Sequence, residues 1–269
     1  MTVALLGIGA DSTNATPTPP VYADGSFEYI PIPEAQGPEG TVETRTYGNT
    51  RLRHQDAPMA EFLNGIDPHG RGNFTITGQE LVEWPLHYDP NFEALTYGET
   101  TSRGAYTKIL RNLQEGDIVA FYTGLQQEND GYRHRYIIGY FTVDEILDCQ
   151  NLEWNGQETR FSDLSKSEQE QLMDNYCGNA HAKRFKATGE IADNDGLVIV
   201  NGTEPSTLLN TAFRISKQSD NGHYYLTDRL QRRFQPDPSG DPAKNAHLGG
   251  VKTGHRLNID IDEFQALVE

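Results

Sequence analysis

Apolar runs separated by polar tracts set out the elements of this chain. Residues 2–8, T-V-A-L-L-G-I, are continuously apolar, as in a central buried strand. The T-P-T-P-P at 16–20 can continue neither a helix nor a central strand and is expected as extended chain. Asp24-Gly25 between apolar segments predicts a hairpin, and Pro31 and Pro33 push its second arm to a sheet edge. From Ala35 to about Gly78 the sequence is rich in Gly, Pro and charge without a sustained period. It reads as a long, partly mobile polar insertion carrying Arg51, Arg53, His54, His69 and Arg71.

Order returns with E-L-V-E-W-P-L-H-Y-D-P-N-F, followed by a short amphipathic helix over 100–113, with Ala105, Ile109 and Leu110 or Leu113 on helical spacing. Two strongly apolar strands come next, E-G-D-I-V-A-F-Y-T-G-L and Y-I-I-G-Y-F-T-V-D-E-I-L, joined by a polar tip and expected to pair. Ser165 and Glu168 form a capping box that opens a helix of three to four turns. G-L-V-I-V at 196–200 is a strand, and S-T-L-L-N-T-A-F-R-I-S at 206–216 fits helix or strand. H-Y-Y-L-T predicts a strand, D-R-L-Q-R-R-F a basic helical turn, and the tail a strand and a last helix. Strands and helices without regular alternation indicate an α+β fold, expected as one unit over 1–269 with the insertion at about 35–78.

Composition changes what can be asked of charge. The chain has 39 acidic against 22 basic residues, a formal net charge of -17, and about two Arg for each Lys. Such a surface stays soluble in concentrated salt, so a halophilic, archaeal source is expected. At molar salt the Debye length is about 3 Å, so the acidic surface does not exclude a nucleic-acid partner. Two cysteines, Cys149 and Cys177, are too few for a disulfide scaffold and are expected to be reduced. No stretch reaches the roughly 20 apolar residues of a membrane span, and cytoplasmic residence is expected.

The stretch Gly7 to Asn14, G-I-G-A-D-S-T-N, invites comparison with phosphate loops. It lacks the Lys of a P-loop. Ser12 stands where a dinucleotide fingerprint needs its third Gly, and the prolines forbid the following helix. What remains is a buried strand delivering Asp11, Ser12, Thr13 and Asn14 to a surface, as a self-bonded turn or as a site.

The pieces G-I-G-A-D-S-T-N, P-P-V-Y-A-D-G-S-F-E-Y-I-P-I-P-E, L-H-Y-D-P-N-F, G-A-Y-T-K-I-L-R-N-L-Q-E-G-D-I-V-A-F-Y and H-R-Y-I-I-G-Y-F occur in the order of the nucleotide modification associated domain 3 family, which the chain resembles over roughly 1–148. The resemblance implies a link to DNA or nucleotide modification systems, with a nucleotide or DNA, carrying a modified base or not, as partner. The segment 100–148 also looks like the core of PUA-like domains, which implies a small mixed barrel as the alternative to a mixed sheet. An enzyme, a non-catalytic modified-base reader and a structural accessory all stay open.

Within that frame Asp11, His87 and Asp89 are the candidate catalytic group, a carboxylate as base with an imidazole partner. His87 and Asp89 pinning a turn before Pro90 is the plain alternative. Ser12, Thr13, Asn14, Tyr29, Tyr97 and Arg103 are candidate substrate contacts, with Tyr88 and Tyr106 as further stacking residues and Lys108 as a further phosphate contact. Arg229, Arg232 and Arg233 form the densest basic group. His87-x-Asp89 and Cys177-x-x-x-His181 are incomplete ligand sets, so no metal is expected, and no cofactor is assigned.

Overall fold

The continuous apolar runs become the middle of a mixed seven-stranded sheet. The structure is a computed structural model that describes residues 2–68, 74–220, 222–234, 246–248 and 254–269. Its sheet strands are β1 (Val3–Gly7), β2 (Pro20–Val21), β3 (Thr96–Thr100), β4 (Ile118–Gln127), β5 (Arg133–Asp148), β6 (Leu197–Arg214) and β7 (His255–Leu257). The order is β7-β1-β4-β5-β6-β3, with β2 pairing the end of β4. β1 and β4 run parallel from Val3↔Ile118 to Gly7↔Tyr122. The neighbours β4–β5, β5–β6 and β6–β3 are antiparallel.

β1 is fully buried from Val3 to Leu6, as a strand flanked on both edges and covered on both faces must be. The β4–β5 hairpin forms as its alternating apolar runs predict, from Ile118↔Thr142 to Gln126↔Arg133. G-L-V-I-V and S-T-L-L-N-T-A-F-R-I-S, read as a strand and an ambiguous piece, are one long strand β6, which stays on β5 through three register shifts. Those irregularities break the alternation that would have marked it as a strand. The ladders of the described residues make a mixed sheet, one of the two architectures expected.

The helices are α1 (Met59–Phe62), α2 (Gly78–Glu83), α3 (Gly104–Leu110), α4 (Lys166–Asp174), α5 (Ala180–Thr188), α6 (Asp228–Phe234) and α7 (Ile261–Val268). α4 opens with the reciprocal capping box of Ser165 and Glu168. No helix among the described residues is long and apolar enough to cross a membrane. Cys149 and Cys177 are both free, the first buried and the second exposed.

Among the described residues three cores hold these elements. The largest flanks the sheet, around Phe121, Tyr140, Phe141 and Leu5. A second gathers Ala10, Ile30, Tyr47, Leu52, Met59, Ile66, Ile76 and Trp84. The 35–78 segment contributes to it: its apolar residues are few, but Tyr47 and Ile66 are wholly buried. Arg51 pairs with Asp56 at the surface, and Arg53 lies over the Phe27 ring and bonds the Leu209 carbonyl. The backbone N–H of His54 bonds Glu28; His69 and Arg71 lie outside the described residues. The third core packs α4 and α5 against Leu147, Leu197 and Ile199.

Candidate functional site

Two short extended segments and the start of α5 meet beside β3. Ile32–Pro33 pairs antiparallel with Leu86–His87, and the Glu34 N–H continues this ribbon by donating to the Pro85 carbonyl. The strand ends at His87, and the chain turns at Tyr88, where the Asp89 N–H donates to the His87 carbonyl at 2.9 Å. On the facing element, Asn179 caps α5 by accepting from the His181 N–H, and its amide reaches Thr96 of β3. The cap fixes His181 in the first turn. Arg184, three residues on, shares its face.

His87 Nε2 lies 3.8 Å and His181 Nε2 3.4 Å from Asp89 Oδ2. The three ligand-capable atoms fall within 4.8 Å of one another. His87 and Asp89 are each 6% exposed and His181 9%, so the group is nearly withdrawn from water. Both oxygens of Asp89 accept from the Gly98 N–H at 3.0 Å. A Cβ on Gly98 would stand 2.5 Å from His181 Cδ2, so the residue must be glycine for ring and strand to approach this closely.

Behind His87 stands Glu34, 1% exposed, with Oε2 3.1 Å from His87 Nδ1 and Oε1 accepting from Arg184 Nη2 at 2.6 Å and Nε at 3.0 Å. Burial alone would raise the Glu34 pKa, but His87 and Arg184 bring it down to about 2. An ionised carboxylate only accepts, so a proton on His87 Nδ1 makes this bond and leaves the Nε2 lone pair facing Asp89; Arg184 Nη2 also lies 3.4 Å from Nδ1. Burial pushes Asp89 up to about 7, against the pull of His87 and the Gly98 N–H. Burial and Arg184 lower His181 to about 4, and burial lowers His87. A pocket of ≈ 70 Å³ is lined by His181, Arg184, Gln36, Glu190, Ile191, Ala192 and Leu197. It has room for a few waters and is far below the roughly 300–1,000 Å³ of small-molecule sites.

The same strand carries the polar chain onward to the end of β1. Glu99 Oε2 accepts from the Tyr97 hydroxyl at 2.9 Å and from Arg103 Nη1 at 3.2 Å. Arg103 lies over the Tyr106 ring and its Nη1 donates to the Gly7 carbonyl. The Gly7 N–H donates to the Tyr106 hydroxyl. Beyond Gly9, which needs its positive φ of 71° to turn the chain, comes Asp11. Its Oδ2 pairs with Arg135 Nη1 at 2.6 Å, and its Oδ1 accepts from the Thr13 N–H and hydroxyl. Asn14 Oδ1 closes the turn on the Asp11 N–H. Arg135 also lies over Tyr224, and among the described residues its buried Nε has no hydrogen-bond partner.

The structure therefore brings His87 and Asp89 together and gives Asp11 a different partner. No hydrogen bond or ion pair joins Asp11 to His87; Arg135 holds the one and Glu34 the other. Ser12 and Asn14 are half-exposed and Thr13 exposed. Tyr29 and Tyr97 lie inside the core, Tyr29 edge-on to Phe92 with its hydroxyl on the Pro90 carbonyl and Tyr97 edge-on to Phe121. Tyr106 is fully buried, whereas Tyr88 is only partly so and carries Arg45 on its ring. Of the basic cluster, Arg233 is taken by Glu263. Glu34, Gly98, Arg135, His181 and Arg184 were not singled out as site residues by sequence reasoning. His181 had surfaced only in a pair with Cys177, which is exposed; its partners are Asp89 and His87, about 90 positions away.

The family model of nucleotide modification associated domain 3 matches residues 2–241, running through the 35–78 segment. No curated protein and no solved structure matches the chain.

Proposed function

Since the chain belongs to the nucleotide modification associated domain 3 family, we propose that it processes a base or nucleotide, free or within DNA, as part of a nucleotide or DNA modification system. The reactive group in this reading is His87, Asp89 and His181. The turn from Asp11 to Asn14, with Arg103 and Arg135, contacts the polar part of the ligand. The cytoplasm is the compartment this reading supposes, where free cysteines persist.

The observation that carries processing over mere reading is the buried imidazole, carboxylate, imidazole cluster. Such a group costs stability where hydrophobic packing would serve, and clusters with opposed pKa shifts mark reactive sites. A reader would rely instead on exposed stacking rings, but Tyr29, Tyr97 and Tyr106 are at most 3% exposed.

The test is mass spectrometry of a panel of nucleotides and of plain and base-modified DNA after incubation with the purified protein. A mass change that His181→Ala abolishes is the expected result. Tight binding without any mass change would favour the reader, and neither binding nor change the structural accessory.

A further inference from the structure

We infer that His87 Nε2, Asp89 and His181 Nε2 are the three protein ligands of a divalent transition-metal site of the zinc type. The inference deepens the reading of these residues as the reactive centre and rests on it for its functional meaning.

Geometry comes first. Zinc holds N and O ligands at about 2.0–2.2 Å, so ligand atoms on a tetrahedral ion stand roughly 3.4 Å apart. The observed separations from Asp89 are 3.4 and 3.8 Å, and all three atoms lie within 4.8 Å. Both contacts are long for hydrogen bonds, which cluster near 2.7–3.2 Å. A proton shared between two of these groups would draw them closer; an ion would keep the two Asp89 contacts near the spacing seen, and the widest pair of the three, within 4.8 Å, would close toward about 3.4 Å on binding it.

The surroundings provide a second, independent observation. His87 presents the Nε2 lone pair because Nδ1 is held by Glu34, and a carboxylate behind a histidine is the usual backing of a metal-bound imidazole. Arg184 pairs with Glu34 through two short bonds, which offsets part of its charge beside the cluster. Both Asp89 oxygens share one N–H, that of Gly98, which steadies the carboxylate. Two His and one carboxylate leave a fourth position open, as in catalytic rather than structural zinc sites. The pocket beside His181 has room for water.

Metal uptake is measured without any nucleotide, so this inference and the proposed function fail separately. The purified chain, stripped with a chelator, is titrated with cobalt(II) and followed by its visible absorption, then challenged with zinc(II). One cobalt ion per chain is expected, with the intense band of a four- or five-coordinate site that zinc abolishes. His181→Ala and Asp89→Asn should lose the band, and Glu34→Gln should weaken binding about 10–100-fold. Ser165→Ala, at the cap of α4 and outside the cluster, should keep it. Circular dichroism checks folding; should Asp89→Asn not fold, His181→Ala at the more exposed ligand decides. Absence of cobalt and zinc uptake by the wild-type chain, or an unchanged band in a folded His181→Ala, overturns the inference.

Discussion

At Gly98 the backbone does two things at once: its N–H holds both oxygens of Asp89, and its bare Cα lets the His181 ring lie against β3. Gly98→Ala would force a Cβ into His181 and Asn179. It is expected to cost about 1–3 kcal/mol, read from urea unfolding, and to abolish activity by displacing His181. Glu34→Gln removes the charge that holds Arg184 and fixes the His87 proton on Nδ1. A loss of about 1–3 kcal/mol is expected in the same measurement, below that of a wholly buried pair because Arg184 keeps some contact with water. His87 and Asp89 stood out in the sequence as neighbours of a proline, but their partners did not. Glu34 looked like the end of an edge strand, and nothing local says that a residue about 150 positions on, Arg184, will close over it.

The elements most legible in the sequence were those whose pattern is set locally: β1, the β4–β5 hairpin and the capping box of α4. The 35–78 segment was not, because its few apolar residues are spaced by the second core they fill rather than by any helix or strand period. Ser165→Ala should lower stability by about 1 kcal/mol through the lost cap, without touching activity. The segment is tied to α5 by Glu43, which accepts from Arg45 and from Lys183 at 2.6 Å. Burial would raise its pKa, yet these bonds hold it at about 2, below its ordinary 4.5. Because the folded chain binds fewer protons there, this link stabilises fully above pH 4.5 and is lost as pH falls toward 2. The melting temperature should drop across that window, and Glu43→Gln should flatten the drop.

Over the whole molecule a formal charge of -17 makes self-repulsion a standing cost. Raising salt from about 0.1 to 1 M shortens the Debye length from about 10 to 3 Å, so the melting temperature should rise in potassium chloride; a fall would count against the halophilic reading. The α+β class was readable from element order, and the family from motifs in the first half of the chain, whereas the polar chain linking His181 to Asp11 exists only once β3 lies between them. The most direct measurement is mass spectrometry of DNA and nucleotide pools from cells carrying the intact gene, His181→Ala or Ser165→Ala. A base or nucleotide species present with the intact gene and with Ser165→Ala, and missing with His181→Ala, is the expected result. Identical pools in all three would contradict a reactive centre at His87, Asp89 and His181.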